Sequence, residues 1–236
     1  MIGQASRLWH PTRRWALVGI VFLLIARDAS AGSIKGTVQF IGGVVEQKRL
    51  AVTIDQYVCG KDKDLETLVI SAQKGIRNAV VWIDAPSAAK VEIPVTPVQV
   101  DQQQCVFTPR IVLVPVSHTV EFLNSDRLLH NIHTQSRDNA RYNRTQPKGR
   151  TIPLTFSKPE IVEVICDLHP WMRAWVVVIE HPFYAVTNAN GEFLVRNAPP
   201  GSYKLHVWHE TLGTTTKDVT VGAEDLSGVL VPMRGR

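Results

Sequence analysis

The amino-acid sequence predicts an all-β fold from three observations. Short β-branched runs recur along the chain, turn-forming residues separate them, and no long amphipathic helix pattern interrupts them. Many short strands at this spacing are typical of β-sandwiches and β-barrels. The predicted strands are Gly36–Phe40, Leu68–Ile70, Ala79–Ile83, Ile111–Val116, Thr119–Leu123, Ile161–Ile165, Trp175–Ile179, Glu192–Val195, Tyr203–Trp208 and Gly228–Val231. The segment 136–150 is predicted to be a short helix or an irregular loop.

Turn chemistry is clearest near the C-terminus. The run Asn188–Gly191 separates two β-rich stretches, and Asn and Gly tolerate the positive φ that hairpin turns require. The run Pro199–Gly201 predicts the next turn. Apolar and polar residues then alternate through Tyr203–Trp208, as they do in a half-buried strand.

The first 31 residues are predicted to be a signal peptide. Three arginines precede a 12-residue apolar run, Trp15–Ala26, and the small residues Ala29–Ala31 offer a cleavage site. The pair Arg13–Arg14 also resembles a twin-arginine signal. An uncleaved N-terminal anchor is the alternative, although the apolar run is short for a membrane span. We therefore expect a periplasmic protein whose mature chain does not span the membrane.

The charge of the chain does not indicate a nucleic-acid partner. The net charge of +5 falls to +2 when the four arginines and one aspartate of the predicted leader are removed. The mature chain would have 205 of the 236 residues, enough for one large domain or two small ones.

Three cysteines in an exported chain leave at least one free thiol. Cys166 has neighbours of metal-ligand type, whereas Cys59 and Cys105 have none nearby in the sequence. We therefore expect a Cys59–Cys105 disulfide and a free Cys166, although the sequence alone does not fix this pairing.

A short loop between two predicted strands carries the most informative residues. Cys166, His169 and Met172 follow one another at spacings of three, directly after Ile161–Ile165. A histidine from the stretch 130–133 upstream would complete a set of one thiolate, two imidazoles and one thioether.

This donor set predicts a type 1 (blue) copper site. A thiolate and two imidazoles in a trigonal plane, with a weak axial thioether, suit both Cu(I) and Cu(II). A zinc site would not normally include the thioether. Four protein donors leave no position for a substrate, so we expect one type 1 copper ion, an electron carrier and no enzymatic activity.

Strand geometry separates the two upstream histidines. Successive residues of a strand point to opposite faces, so His130 and His133 should not both reach one metal ion from a regular strand. Strand alternation alone leaves open which of the two histidines is the ligand.

The chain resembles cupredoxins, and among them amicyanin, over about residues 97–181. The resemblance rests on three motifs in the expected order: Asn124–Asp126, the stretch His130–His133, and the Cys-x-x-His-Pro-aromatic-Met loop Cys166–Met172. It implies a Greek-key β-sandwich with copper at one end, held by His130, Cys166, His169 and Met172.

The same resemblance implies roles for the surrounding residues. His169 would be the ligand nearest solvent, with Pro170 and Trp171 in an apolar patch where partners dock. Asn131 would tie the loop of the first ligand to the cysteine loop.

A second resemblance covers about residues 183–236. The pattern from Val186 to Leu205 resembles the regulatory domain of carboxypeptidases, a transthyretin-like β-sandwich. The front strands of that fold have counterparts far upstream, at Gly36–Val38 and Asn78–Val81. Two arrangements stay open: the cupredoxin part, 97–181, is inserted into this second sandwich, or it follows an independent N-terminal β segment, 33–95.

These expectations define an exported copper protein that carries single electrons between redox proteins. Amicyanin-like loops suggest a dehydrogenase and a cytochrome as partners, by analogy only. A periplasmic copper carrier or chaperone is the first alternative, and an interaction module of a redox complex, docking through the second sandwich, is another.

Overall fold

The computed structural model describes residues 31–43, 45–46, 49–84, 91 and 96–235. The predicted leader therefore lies outside the described residues, apart from Ala31. Within the described part of the chain, no helix is long and apolar enough to cross a membrane.

The all-β prediction is confirmed, since the described residues form 18 strands and a single four-residue helix. The elements, in chain order, are β1 (Gly32–Ile41), β2 (Arg49–Ala51), α1 (Gln56–Cys59), β3 (Asp62–Asp64), β4 (Val80–Ile83), β5 (Val98–Gln103), β6 (Val106–Thr108), β7 (Ile111–Pro115), β8 (Thr119–Asn124), β9 (His130–Gln135), β10 (Asn143–Gln146), β11 (Ile152–Thr155), β12 (Glu160–Ile165), β13 (Arg173–Ile179), β14 (Tyr184–Val186), β15 (Glu192–Ala198), β16 (Gly201–His209), β17 (Gly213–Val221) and β18 (Leu226–Arg234).

The first sandwich consists of a five-stranded sheet, in the order β10-β9-β12-β13-β7, and a four-stranded sheet, in the order β11-β8-β5-β6. Alternation of buried and half-buried residues along β8 places Val120, Phe122 and Asn124 on the inner face. Fully burying a side chain such as Phe122 contributes about 2 to 3 kcal/mol. Phe156 and Val164 belong to the same core.

The second sandwich joins strands from two distant parts of the chain. Strand β1 lies between β15 and β18, and β4 lies between β14 and β16. The strands of residues 98–179 thus lie, along the chain, between the two segments that build this sandwich. At its hairpin turn, Gly191 has a φ of 78°, and a Cβ there would come within 2.6 Å of Gly75.

Strands β2 and β3 form a small two-stranded sheet that shares no strand with either sandwich. The residues between its strands, 52–61, form a loop that includes α1 and is closed by a hydrogen bond from the Val52 N–H to the Lys61 carbonyl. We call residues 52–61 the cap, because they lie over the site described below.

Some predicted elements differ from the structure. The predicted strand Leu68–Ile70 is reduced to an isolated bridge between Ile70 and Ile76. The segment 136–150 contains strand β10 rather than a helix. Three of the four residues of β10 are exposed, and among the strands that the structure describes it pairs with β9 alone. This edge strand therefore shows no apolar alternation in the sequence.

The two sandwiches contact each other through a small apolar cluster and an ion pair. Val80 of the second sandwich packs with Ile111 and Val177 of the first. Arg110 and Glu210 form a bidentate pair, with nitrogen–oxygen distances of 2.6 and 2.9 Å. Their side chains are only 13% and 5% exposed, so solvent screens this pair weakly.

We expect Glu210→Gln to lower the free energy of unfolding by about 3 kcal/mol, because it leaves the Arg110 charge buried without its partner. Denaturant unfolding measures the effect. The exposed pair Lys204–Asp218 provides the control, and Asp218→Asn should change stability little. Equal effects of the two substitutions would contradict the importance of the buried pair.

A buried histidine makes stability depend on pH. Burial lowers the pKa of His209 to about 4, and the charge of Glu210 opposes this shift only partly. The unfolded chain takes up this proton near pH 6.5, whereas the folded chain does so only near pH 4. The contribution of neutral, buried His209 to the free energy of unfolding is therefore complete above about pH 6.5. It is lost as the pH falls towards 4.

The substitution His209→Gln should reduce the loss of unfolding free energy that occurs between pH 6.5 and 4. Denaturant titrations at several pH values test this, with His206→Gln as the control because His206 is only half-buried. An unchanged pH profile in His209→Gln would show that other groups cause the acid sensitivity.

Candidate metal centre

The four predicted donors come from three neighbouring segments at one end of the first sandwich. His130 is the first residue of β9, Cys166 directly follows β12, and His169 and Met172 lie in the loop that leads into β13. Because β12 pairs with both β9 and β13, the sheet brings these segments together. A hydrogen bond of 2.9 Å from the Met172 N–H to the His169 carbonyl closes the loop.

Three donor atoms converge at this end. The Cys166 Sγ lies 3.7 Å from the His169 Nδ1 and 3.9 Å from the His130 Nδ1, and the two Nδ1 atoms are 3.0 Å apart. These three residues form a group of potential metal ligands in the described chain. Met172 is 1% exposed and belongs to the same core as Cys166.

The Nε2 atoms of the two histidine donors, His130 and His169, each contact a carboxylate. The His130 Nε2 lies 2.9 Å from the Asp126 Oδ2, and the His169 Nε2 lies 3.2 Å from the Asp55 Oδ2. A carboxylate that accepts the Nε2 proton leaves the Nδ1 lone pair of that ring available to a metal ion. Such partners also fix the orientation of the ring. The two Nδ1 atoms also lie within hydrogen-bonding distance of each other.

The sequence gives only a partial indication of these two carboxylates. Asp126 is the last residue of the Asn124–Asp126 motif and lies four residues before His130, which is a local signal. Asp55 lies 114 residues from His169, so no spacing in the sequence indicates their contact.

Asn131 connects the loops that carry the first two donors. Its Oδ1 accepts a hydrogen bond of 2.7 Å from the Asp167 N–H, and its Nδ2 donates to the Asp167 Oδ2 at 2.9 Å. His133 lies outside the donor group, with its side chain 29% exposed and its Nδ1 2.8 Å from the Asp167 Oδ1. The structure thus separates His130 from His133 as strand alternation requires.

His169, which we expected to be the ligand nearest solvent, is only 1% exposed, and none of the other three predicted ligands is more exposed. The cap covers it and places Asp55 against its ring. A disulfide between Cys59 and Cys105 ties the cap to the first sandwich, which leaves Cys166 as the free cysteine.

The two residues expected in a docking patch differ in exposure. Pro170 is exposed, whereas Trp171 is only 8% exposed. The ring centroids of Trp171 and His169 are 5.3 Å apart. The Trp171 Nε1 donates a hydrogen bond of 3.0 Å to the Cys105 carbonyl. Trp171 therefore packs against His169 and Cys105 instead of lying on the surface.

Burial shifts the pKa values of two of the donors, Cys166 and His130. It raises the pKa of the Cys166 thiol, against the opposing effect of backbone N–H groups, and it lowers the pKa of His130 despite the bond to Asp126. A thiolate at this position therefore requires a nearby cation. The donor types, one thiol, two imidazoles and a neighbouring thioether, fit copper better than zinc or a hard cation.

Comparisons with known proteins give partial similarities. No protein-family model and no curated protein sequence matches the chain. The chain is similar to a purple cupredoxin from Nitrosopumilus maritimus, with 21% identity over 35% of this chain and 99% of that one, at a TM-score of 0.31. An amicyanin from Paracoccus versutus is 19% identical over 42% of this chain and 97% of that one, at a TM-score of 0.34.

A third similar structure is a copper-containing nitrite reductase from Thermus scotoductus SA-01. It is 26% identical over 40% of this chain, at a TM-score of 0.34, and the match spans only 25% of the reductase. All three similarities concern about two fifths of the chain or less.

We expect Asp126→Asn to weaken copper binding by about 10- to 100-fold, because the carboxylate no longer orients His130. Competition with a chromophoric Cu(I) chelator measures the affinity, and circular dichroism checks the fold. Asp138→Asn, in an exposed turn, is the matched control and should bind copper as the parent chain does. Unchanged affinity in Asp126→Asn would remove the role we assign to this carboxylate.

Proposed function

We propose that this chain is an exported type 1 copper protein that carries single electrons between redox proteins. The observation that carries the proposal is the convergence of the Cys166 Sγ with the Nδ1 atoms of His130 and His169, within 3.0 to 3.9 Å of one another. Bound copper would supply a one-electron couple between Cu(I) and Cu(II).

The residues of the chain would hold such an ion in a fixed environment. Cys166, His130 and His169 would provide the three strong donors, and Met172 the weak axial one. Carboxylates orient both imidazoles, and strands β9, β12 and β13 anchor the loops. A rigid donor set favours electron transfer, because little has to move when the charge of the ion changes.

Burial of the donors supports a carrier of electrons over an enzyme or a copper chaperone. His130, Cys166, His169 and Met172 are each at most 1% exposed, which disfavours both substrate turnover and rapid metal exchange. A chaperone would also be expected to carry more methionines, and only Met172 and Met233 follow the predicted leader.

Redox partners would approach the end of the sandwich that carries the site. Leu129 and Leu168 are 48% and 43% exposed, and each directly precedes a histidine donor. Tyr57, in the cap above His169, is 79% exposed. These exposed apolar side chains would contribute to the docking surface in place of Trp171. The partners would be a dehydrogenase or a cytochrome-like protein in the periplasm.

Adding Cu(II) to the metal-free protein should produce an intense visible absorption band from thiolate-to-copper charge transfer, together with a reversible one-electron wave. Cys166→Ser should abolish the band, and His130→Ala should abolish or strongly shift it. His133→Ala is the matched control and should retain the colour. A coloured Cys166→Ser protein, or equal losses from both histidine variants, would refute the proposed site.

A further inference from the structure

The disulfide of the cap lies directly against the metal centre. The sulfur atoms of Cys59 and Cys105 and a ring nitrogen of His169 all lie within 4.8 Å of one another. The Cys105 sulfur also lies within 4.8 Å of a ring nitrogen of His130. Cys59 and Cys105 are 2% and 0% exposed, so these groups form one buried cluster with the proposed copper ligands.

Cys105 is held in place by contacts other than the disulfide. Its backbone N–H donates a hydrogen bond of 2.8 Å to the Asp126 Oδ2, and the N–H of Gln104 donates to the Asp126 Oδ1 at 2.6 Å. Its carbonyl accepts the bond from Trp171. The loop of Cys105 should therefore keep its position when the sulfur–sulfur bond is broken.

Cys59 is also held independently of the disulfide. Its N–H donates a hydrogen bond of 2.9 Å to the carbonyl of Asp55, the residue whose side chain contacts His169. Val52, at the start of the cap, is 1% exposed and packs in the core of the first sandwich. Both thiols of the reduced protein should therefore stay beside His169.

We propose that the dithiol form of Cys59 and Cys105 is a second binding site for Cu(I), in which the two thiolates hold the ion and His169 stays a ligand of the first site. Thiolates are soft ligands that select Cu(I), and two of them converge here. This role goes beyond the proposed electron transfer, which uses neither cysteine. The thiol state of the cap would then determine how many copper ions the chain holds.

The chemistry requires an external thiol reductant. A dithiol donates two electrons and two protons to the sulfur–sulfur bond of Cys59 and Cys105 and leaves as its own cyclic disulfide. Binding of Cu(I) by the two resulting thiols releases their two protons.

The test is an anaerobic titration with Cu(I) against a chromophoric chelator. The protein is used with the disulfide intact and after reduction with dithiothreitol, which is then removed. We expect one tightly bound Cu(I) per chain in the disulfide form and two in the dithiol form, with circular dichroism showing that the fold is kept. One ion or none in the dithiol form would overturn the proposal.

Two variants separate this site from the blue copper site. The double variant Cys59→Ser with Cys105→Ser should bind one Cu(I) before and after reduction. Cys166→Ser should still gain one ion on reduction, even where the blue colour is lost. Loss of the additional ion in Cys166→Ser would overturn the independent site, whereas absence of the colour in the parent chain would refute only the proposed electron-transfer function.

Discussion

The hydrogen bonds between two carboxylates and two buried histidines are the interaction on which the arrangement of the potential metal ligands depends. Asp126 and Asp55 each engage the Nε2 of a histidine, so both Nδ1 atoms point towards the Cys166 sulfur. Without these partners, the orientations of the two buried rings would not be determined. With them, the three potential donors are held in one arrangement.

The same interaction explains why the cap matters. Asp55 belongs to the cap, and the Cys59–Cys105 disulfide attaches that loop to the sandwich that carries the donors. Because the cap covers His169, the ring of this residue has no exposed edge of the kind that the family resemblance implied. Electron exchange would then take place through a surface to which the cap contributes, and the cap cysteines bring a second set of soft donors to the same buried cluster.

The two sandwiches have separate cores, yet they are joined by the buried Arg110–Glu210 pair and by packing of Val80 on β7 and β13. Strand β13 begins directly after the loop that carries His169 and Met172, and it contributes to this contact. The second sandwich therefore packs against the sheet that carries Cys166 and His169, and it would support that sheet in addition to any docking role.

Local patterns in the sequence determined the fold class and most of the donor set. Cys166, His169 and Met172 lie within seven consecutive residues, and the alternation of a strand separates His130 from His133, so short-range geometry suffices for both. Only the tertiary structure decided the cover over His169 and the pairing of β1 with β15 and β18, because these contacts join residues more than 100 positions apart. Exposed edge strands such as β10 escaped prediction for a related reason, since hydrogen bonds to a neighbouring strand, and not an apolar pattern, define them.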